Sequence, residues 1–411
     1  MSKIRVKNFG PIKGGFLEND GWLEIKKVTV FIGNQGSGKS TIAKLISTLT
    51  WIEKALVRGD FNGEALTSEA FKMHCSYQNI GSYFKPNTKI DYEGKAVTLR
   101  FSATSTYVFV EKNPINAYSF PKIMYVPSER NLVGSVRNVR NLKGLPSTLY
   151  TFADEYFDAL DDLGSLDGWV DLPINGATLE YEKFTSNVKI KGNDYTVNLS
   201  EASSGFQSFV PLYMVTAYLA SSLYKTRDHS TKHLSLEEER KLFLQVQDIM
   251  NDPTLSEEIK RAQMQLLSAQ RSYSAFVNIV EEPEQNLFPT SQREVLNTLL
   301  KFSNQNNNKL IITTHSPYLL NYLTLAVKAS SLVQRLHNNQ TDMLQKVNQI
   351  VPINSVLNGN DLVIYEMYEE EGTISRLENY HGMPSDDNKL NERLGETNEL
   401  FARLLEIQQK L

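Results

Sequence analysis

Two kinds of apolar pattern open the chain. Leu23–Ile32 is rich in β-branched residues and ends at Gly33, which predicts a buried strand. In Thr41–Leu56 the apolar residues recur every three or four positions, which predicts a helix. These residues are Ile42, Leu45, Ile46, Leu49 and Ile52. A strand, a glycine loop and a helix in this order form half of a βαβ unit.

The next part of the chain has shorter apolar runs separated by turn residues, which predicts a β-rich segment over about residues 86–200. The predicted elements are antiparallel strands in Lys89–Phe101 and Thr106–Glu111 with a turn at Glu93-Gly94, a strand at Lys122–Val126, a helix over about residues 146–168, and two strands in Thr178–Val197 separated by Asn193-Asp194.

The second half returns to long helical patterns around two short apolar runs. Phe276–Val280 and Lys309–Thr313 are predicted as central parallel strands, because both are apolar runs flanked by helical patterns. The other predicted elements are a helical insertion over about residues 230–274 centred on Ser235–Arg271, a helix from Tyr318 to about Asn339, and a C-terminal extension over about residues 345–411 with a small strand at Val363–Tyr365 and a charged helix at Asn391–Lys410. The pattern predicts an α/β fold in which residues 1–411 form a single domain.

Composition excludes several classes of protein. The 411 residues carry a net charge of −4, so no global basic field indicates nucleic-acid binding, although a local patch stays open. The single cysteine, Cys75, cannot form an intrachain disulfide and fits a reducing compartment. The first residues contain no apolar export signal, and the most apolar helical stretch, Phe206–Tyr224, is too polar for a membrane span. We therefore expect a cytoplasmic protein with no membrane partner.

The glycine loop between the first strand and helix has the pattern G-x-x-x-x-G-K-S. It comprises Gly33, Asn34, Gln35, Gly36, Ser37, Gly38, Lys39 and Ser40, followed by Thr41. Glycines allow successive backbone N–H groups to point inward at an anion, and the following helix adds its positive end. This pattern predicts a P-loop that binds ATP, with Lys39 on the β- and γ-phosphates and the Ser40 hydroxyl on Mg²⁺. A chance glycine turn is the alternative.

Paired acids follow the predicted strand Phe276–Val280. Glu281 and Glu282 would lie at the carboxyl edge of a parallel sheet, beside bound phosphates. We expect Glu281 to hold the Mg²⁺ shell and Glu282 to act as general base on the attacking water. A solvated charge cluster at a strand end is the alternative.

Two further motifs are weaker on their own. Ser203, Ser204 and Gly205 open a helical pattern, and such a helix start can bind a phosphate or merely cap the helix. His315 ends the strand that precedes Ser316-Pro317, where it suits a γ-phosphate sensor or an ordinary hydrogen-bonded histidine.

The four motifs in this order resemble the ABC ATPase family, over a framework from Lys3 to about Leu323. The opening Val6–Ile12 (VKNFGPI) and Glu282-Pro283-Glu284 are similar to its RecF/SMC/OLD branch. Tyr125–Asn131 (YVPSERN) and Glu201–Leu212 (EASSGFQSFVPL) look more narrowly like OLD-like ATPases, including ATPase subunits of bacterial antiphage systems such as Septu, retron-linked Septu and PARIS.

The resemblance implies an ABC-type core, with an antiparallel β subdomain and a helical insertion, that hydrolyses ATP between two copies. Ser203, Ser204 and Gly205 would complete the partner's site, so a homodimer or higher even oligomer is expected. The tail after Val351 lacks the glutamate and Asp-x-Asp arrangement of a TOPRIM nuclease, and no long heptad arm is present. We therefore expect a separate effector protein, a nuclease or toxin, controlled by this ATPase in antiphage defence.

Two questions stay open at the level of sequence. A RecF-like DNA-repair ATPase that binds DNA directly is the alternative function. The role of Ser128-Glu129-Arg130 is also undecided between a contact to Mg²⁺ or nucleotide and a structural ion pair.

Overall fold

The computed structural model describes residues 2–60, 66–114, 118–137, 139–225, 247, 251, 273–336 and 340–409. The strands in this part of the chain are β1 (Ser2–Phe9), β2 (Gly15–Phe16), β3 (Leu23–Ile25), β4 (Val28–Gly33), β5 (Phe84–Glu93), β6 (Val97–Ser102), β7 (Phe109–Lys112), β8 (Pro121–Val126), β9 (Trp169–Asp171), β10 (Thr178–Glu182), β11 (Asn187–Lys191), β12 (Thr196–Asn198), β13 (Ala275–Glu281), β14 (Lys309–Thr314), β15 (Leu362–Tyr368), β16 (Thr373–Arg376), β17 (Asn379–Tyr380) and β18 (Met383–Pro384).

The α-helices of the same residues are α1 (Lys39–Arg58), α2 (Ser68–Tyr77), α3 (Asn131–Ser135), α4 (Ser147–Gly164), α5 (Ser204–Lys225), α6 (Pro289–Ser303), α7 (Pro317–Val333), α8 (Thr341–Ile350) and α9 (Lys389–Gln408). Short 3₁₀ turns include Ser128–Arg130 and Leu199–Glu201. The predicted helices at the positions of α1, α4 and α9 are confirmed. The predicted insertion Ser235–Arg271 lies outside the described residues, apart from the isolated positions 247 and 251.

A seven-stranded sheet carries the core, in the order β2-β16-β15-β4-β14-β13-β8. Its strands β15, β4, β14, β13 and β8 run parallel to one another. The prediction that Phe276–Val280 and Lys309–Thr313 form central parallel strands is confirmed. Both runs are mostly apolar because both faces of the sheet are buried, and the buried Asn278 amide donates to the Thr216 hydroxyl at 3.2 Å.

The alternation along β4 shows how the layers form. Val28, Val30 and Ile32 face one hydrophobic cluster, to which α4 through α7 contribute, while Phe31 faces a second cluster that contains the apolar residues of α1. Because side chains alternate across a strand, one strand supplies both cores. The second core lies between the central sheet and an antiparallel sheet of order β3-β1-β5-β6-β7.

One prediction fails at the first strand. Leu23–Ile32 is two strands in two sheets, since β3 pairs with β1 while β4 pairs with β14 and β15. The break lies at Lys26-Lys27, where the Thr29 hydroxyl accepts a hydrogen bond from the Lys26 N–H at 3.0 Å and contacts its carbonyl at 3.3 Å. This local bond competes with the ladder and turns the chain from one sheet into the next.

Two further strand predictions are corrected. Thr178–Val197 holds three strands rather than two, because a tight turn with Ser186 at φ +50° separates β10 from β11 before the predicted turn at Asn193-Asp194. The strand predicted at Val363–Tyr365 is β15, seven residues long and paired with β4. The segment predicted as an extension therefore contributes a strand to the central sheet. Within the described residues, no helix combines the length and apolarity that crossing a membrane requires.

Candidate functional site

Four loops meet at one edge of the central sheet because four adjacent strands are parallel. The glycine loop follows β4, His315 follows β14, Glu282 follows β13 and Ser128–Arg130 follows β8. The carboxyl ends of such strands form the usual ligand-binding edge of an α/β sheet. The structure thus brings together the P-loop, the paired acids and His315, which the sequence predicted from separate parts of the chain.

The glycine loop has the backbone of an anion cradle. Gly33 has φ +143°, and a Cβ there would lie 2.5 Å from the Met367 carbonyl oxygen on β15. In the part of the chain that the structure describes, no side chain caps the first turn of α1. Its exposed N–H groups and the positive end of the helix dipole are therefore available for phosphate oxygens.

The Lys39 ammonium lies inside this loop. Its Nζ donates to the carbonyl oxygens of Gly33 at 2.8 Å and Asn34 at 2.7 Å. Burial lowers the pKa of Lys39, while the carboxylates of Glu282 and Glu284 act in the opposite direction. Lys39 is thus a buried cation held by two carbonyl groups, which phosphate oxygens can replace as hydrogen-bond acceptors.

The remaining loop residues differ in exposure. Asn34, Gln35, Gly36 and Ser40 are exposed, whereas Ser37 and Thr41 are buried. Ser37 donates from its hydroxyl to the Asn34 carbonyl at 2.8 Å, which tightens the turn. An exposed Ser40 hydroxyl at the start of α1 is accessible to a metal ion beside the phosphates.

Glu281 is a buried carboxylate at the end of β13, only 4% exposed. Its Oε2 accepts from the Ser128 N–H at 3.3 Å, and its Oε1 is buried near the Tyr125 side chain without a hydrogen-bond partner among the described residues. A buried carboxylate oxygen without a partner is costly unless a cation or water satisfies it. Glu281 therefore fits the predicted Mg²⁺ role. No group of three or more His, Cys, Asp or Glu side chains in the described residues could hold a metal alone, so the phosphates would have to supply other ligands.

Glu282 lies in a strained conformation beside His315. Its φ is +43°, rare for a residue with a side chain, and its N–H donates to the Thr313 carbonyl at 2.8 Å. Glu282 Oε1 lies 3.6 Å from His315 Nδ1. About a third of the Glu282 side chain is exposed, so water can reach its carboxylate.

Glu284 supports the histidine loop, a role that the sequence did not indicate. Its Oε1 accepts from the Thr314 hydroxyl at 2.7 Å and from the His315 N–H at 3.0 Å, and lies 3.8 Å from His315 Nδ1. The side chain is 6% exposed. Only the spacing Glu-Pro-Glu marked this residue, and its partners lie on another strand.

Arg130 is fully buried and binds backbone rather than a carboxylate. Its Nη1 donates to the Glu281 carbonyl at 2.6 Å and to the Pro127 carbonyl at 3.2 Å, and its Nη2 donates to the Glu282 carbonyl at 2.6 Å. Burial lowers the pKa of Arg130 to about 10, against the raising effect of Glu284 and its neighbours. Within the described residues no ion pair of Arg130 lies within 4.0 Å, so of the two roles left open the ion pair is not observed.

Ser203, Ser204 and Gly205 lie at the start of α5, and both serines are exposed. A Cβ at Gly205 would lie 2.9 Å from the Asn286 carbonyl oxygen, in the loop that follows the acids. In the described part of the chain no hydrogen bond joins these three residues to the glycine loop. The structure therefore does not bring them into the same site as Lys39 within one chain.

Comparison with known proteins agrees with a nucleotide-hydrolysing site. Residues 153–320 match the AAA ATPase domain family. Together with the P-loop edge, this match defines the protein as an ATPase with an α/β fold. No curated protein matches the chain significantly.

Two solved structures show low overall similarity to the chain. The chain is 14% identical to the SMC head domain from Thermotoga maritima, with 92% of this chain and 98% of that chain covered and a TM-score of 0.36. It is 15% identical to the ADP conformation of an ATP-binding cassette of an ABC transporter, with 95% and 98% covered and a TM-score of 0.32.

Proposed function

We propose that this ATPase hydrolyses ATP between two copies of the chain, and that the ATP-bound dimer controls a separate nuclease or toxin in bacterial antiphage defence. The observation that carries the ATPase part is the placement of Glu282 and His315 beside the loop that holds Lys39. Glu282 is the base, His315 is its polar partner and Lys39 is the cation that binds phosphate. Phosphoryl transfer to water requires these three kinds of group.

The chemistry follows from the roles assigned to each residue. Lys39 exchanges its bonds to the Gly33 and Asn34 carbonyls for bonds to phosphate oxygens. Glu282 accepts a proton from the attacking water, and His315 orients the Glu282 carboxylate and the γ-phosphate. Ser40 and Glu281 would hold Mg²⁺, which supplies charge neutralisation at the phosphates when bound.

Shared sites are supported by the position of the α5 start. Ser203 and Ser204 are exposed and uninvolved in the P-loop of their own chain, and the sequence contains one P-loop. In the proposed homodimer these residues and Gly205 bind the γ-phosphate held by the partner's P-loop. ATP then stabilises the closed dimer and hydrolysis reopens it.

The defence role is supported by sequence alone. YVPSERN at Tyr125–Asn131 and EASSGFQSFVPL at Glu201–Leu212 are similar to ATPase subunits of antiphage systems. We propose that the effector is a separate protein, a nuclease or toxin, as in the antiphage systems that these motifs resemble.

The test compares Glu282→Gln with Glu281→Gln and Lys39→Ala. Glu282→Gln keeps the shape but cannot accept the proton, so ATP hydrolysis should fall by about 10²-fold or more while ATP binding and the closed dimer persist. Lys39→Ala should lose ATP binding in a folded protein. Glu180→Gln, which changes a half-exposed residue of β10 paired with Lys191 at 3.5 Å, is the matched control and should hydrolyse ATP normally.

Light scattering with and without ATP measures the dimer. If Glu281→Gln traps the dimer and Glu282→Gln hydrolyses ATP normally, the two acids have been assigned in reverse. Co-expression with the products of adjacent genes, followed by affinity purification and toxicity assays, tests the effector. Salt-sensitive DNA binding by the chain alone, with no such partner, would favour the direct DNA-binding function instead.

A further inference from the structure

Glu282 holds a backbone conformation that the sequence opposes. Its φ of +43° lies in the left-handed region, which costs free energy for any residue with a Cβ. The next residue is Pro283, and a residue before proline prefers extended backbone. Some other part of the structure must therefore stabilise this turn.

Arg130 contributes to that stabilisation, beside the hydrogen bonds from the Glu282 N–H to the Thr313 carbonyl at 2.8 Å and from the Gln285 N–H to the Glu282 carbonyl at 3.0 Å. In an extended strand, consecutive carbonyl groups point in opposite directions, so one side chain cannot bind both. Here the two terminal nitrogens of one guanidinium bind the carbonyl oxygens of Glu281 and Glu282, each at 2.6 Å. The planar fork of arginine thus selects the turned conformation and disfavours the extended one.

The cost of burying Arg130 indicates that this contact is specific. The side chain is 0% exposed, and its Nε is buried without a hydrogen-bond partner among the described residues. A buried cation needs compensation, which here comes from three backbone carbonyls and the nearby carboxylates of Glu284 and Glu282. Arg130 is therefore bound to the backbone that carries the acids, while its own side chain has no access to solvent or ligand.

We infer that Arg130 is a positioning residue for ATP hydrolysis, which fixes the Glu282 carboxylate by holding its backbone in the left-handed turn. The inference rests on the proposed role of Glu282 as general base. It also gives the Ser128-Glu129-Arg130 motif a function, since the 3₁₀ turn after β8 delivers the guanidinium to the end of the neighbouring strand β13.

The test uses Arg130→Lys and Arg130→Gln in the full-length chain. Neither lysine nor glutamine can bind both carbonyls with a planar fork. We expect kcat to fall by about 10-fold to 10²-fold because the base is misplaced, with ATP affinity within about threefold of the original. The closed dimer should also accumulate when ATP is added, as expected for Glu282→Gln. Arg140→Lys, an exposed arginine paired with Asp154, is the matched control and should leave kcat unchanged.

A double-mutant cycle separates this role from a general structural one. Adding Arg130→Lys to Glu282→Gln should cause no further loss of kcat, because the arginine acts through that glutamate. Additive losses would overturn the inference, as would equal loss of ATP binding and turnover, or failure of both single variants to fold. If Glu282→Gln itself hydrolyses ATP normally, the proposed function fails. If Glu282→Gln is inactive while Arg130→Lys keeps full kcat, only the role of Arg130 fails.

Discussion

Substitution of Gly33 tests how strongly the contact with β15 restrains the glycine loop. The residue ends β4, has φ +143° and pairs with Met367 of β15. A methyl group at Gly33 would lie 2.5 Å from the Met367 carbonyl oxygen and 3.1 Å from the Ser37 hydroxyl. Gly33→Ala therefore strains the backbone and pushes against another strand's main chain.

The cost has two parts. A side-chain residue at this backbone conformation costs about 1–3 kcal/mol. Relief of the overlap with a main-chain carbonyl costs about 1–3 kcal/mol more, as in other overpacked sites. We expect Gly33→Ala to lower the free energy of unfolding by about 2–6 kcal/mol, with the higher part of the range if β15 cannot move.

Gly36→Ala is the matched control in the same loop. Gly36 has φ +78°, but no heavy atom of the described residues lies within 4 Å of the position a Cβ would take. Gly36→Ala should lower the free energy of unfolding only by the cost of a left-handed backbone, about 1–2 kcal/mol. Urea unfolding of both variants without nucleotide measures the difference, because bound ATP would add its own stabilisation. Equal losses at the two glycines would refute the argument that contact with β15 restrains Gly33.

Three other predictions use groups in different parts of the structure. Burial lowers the pKa of Lys309 to about 8, so the folded chain binds this proton more weakly than the unfolded chain does. The free energy of unfolding should therefore rise as the pH increases from about 8 to 10.5. Lys309→Met should therefore gain about 1–3 kcal/mol at pH 7, and a gain of the same size at pH 10.5 in urea unfolding would contradict this cause. Burial raises the pKa of Cys75 to about 12, and we expect a thiol reagent at pH 8 to modify it only after unfolding; rapid modification of the folded chain would exclude a closed core there. Mixing the Ser204→Arg protein with the Lys39→Ala protein should restore part of the ATPase activity, because in a mixed dimer one shared site carries both substitutions and the other carries neither. Mixed dimers that are shown to form but stay inactive would contradict shared sites.

Local patterns in the sequence predicted most of the elements. The P-loop helix α1 and the strands β13 and β14 follow from apolar spacing within the elements themselves. Parallel pairing then follows, since strands this rich in apolar residues are expected to be buried on both faces. The placement of Lys39, Glu282 and His315 at one edge could be expected for the same reason.

Individual side-chain contacts, whether near or distant in the chain, could not be predicted in this way. Nothing in the local pattern shows that the Thr29 hydroxyl ends one strand and begins another. Glu284 follows β13 but accepts hydrogen bonds from Thr314 and His315 at the end of the neighbouring strand β14. Arg130 binds the carbonyl group of Glu281, which lies 151 residues further along the chain. Backbone acceptors leave no mark in a sequence, because every residue has one.

The close approach of α5 to the loop after the acids has a consequence for how an ATP-bound pair of chains would respond. Gly205 lies against the Asn286 carbonyl, and the Ser208 hydroxyl donates to Gln285 Oε1 at 3.4 Å. With shared sites, the helix start that senses one nucleotide touches the loop that aims the base at the other. ATP bound at one site would then favour turnover at the other, so turnover would rise sigmoidally with ATP concentration while a dimer with one working site keeps part of the activity.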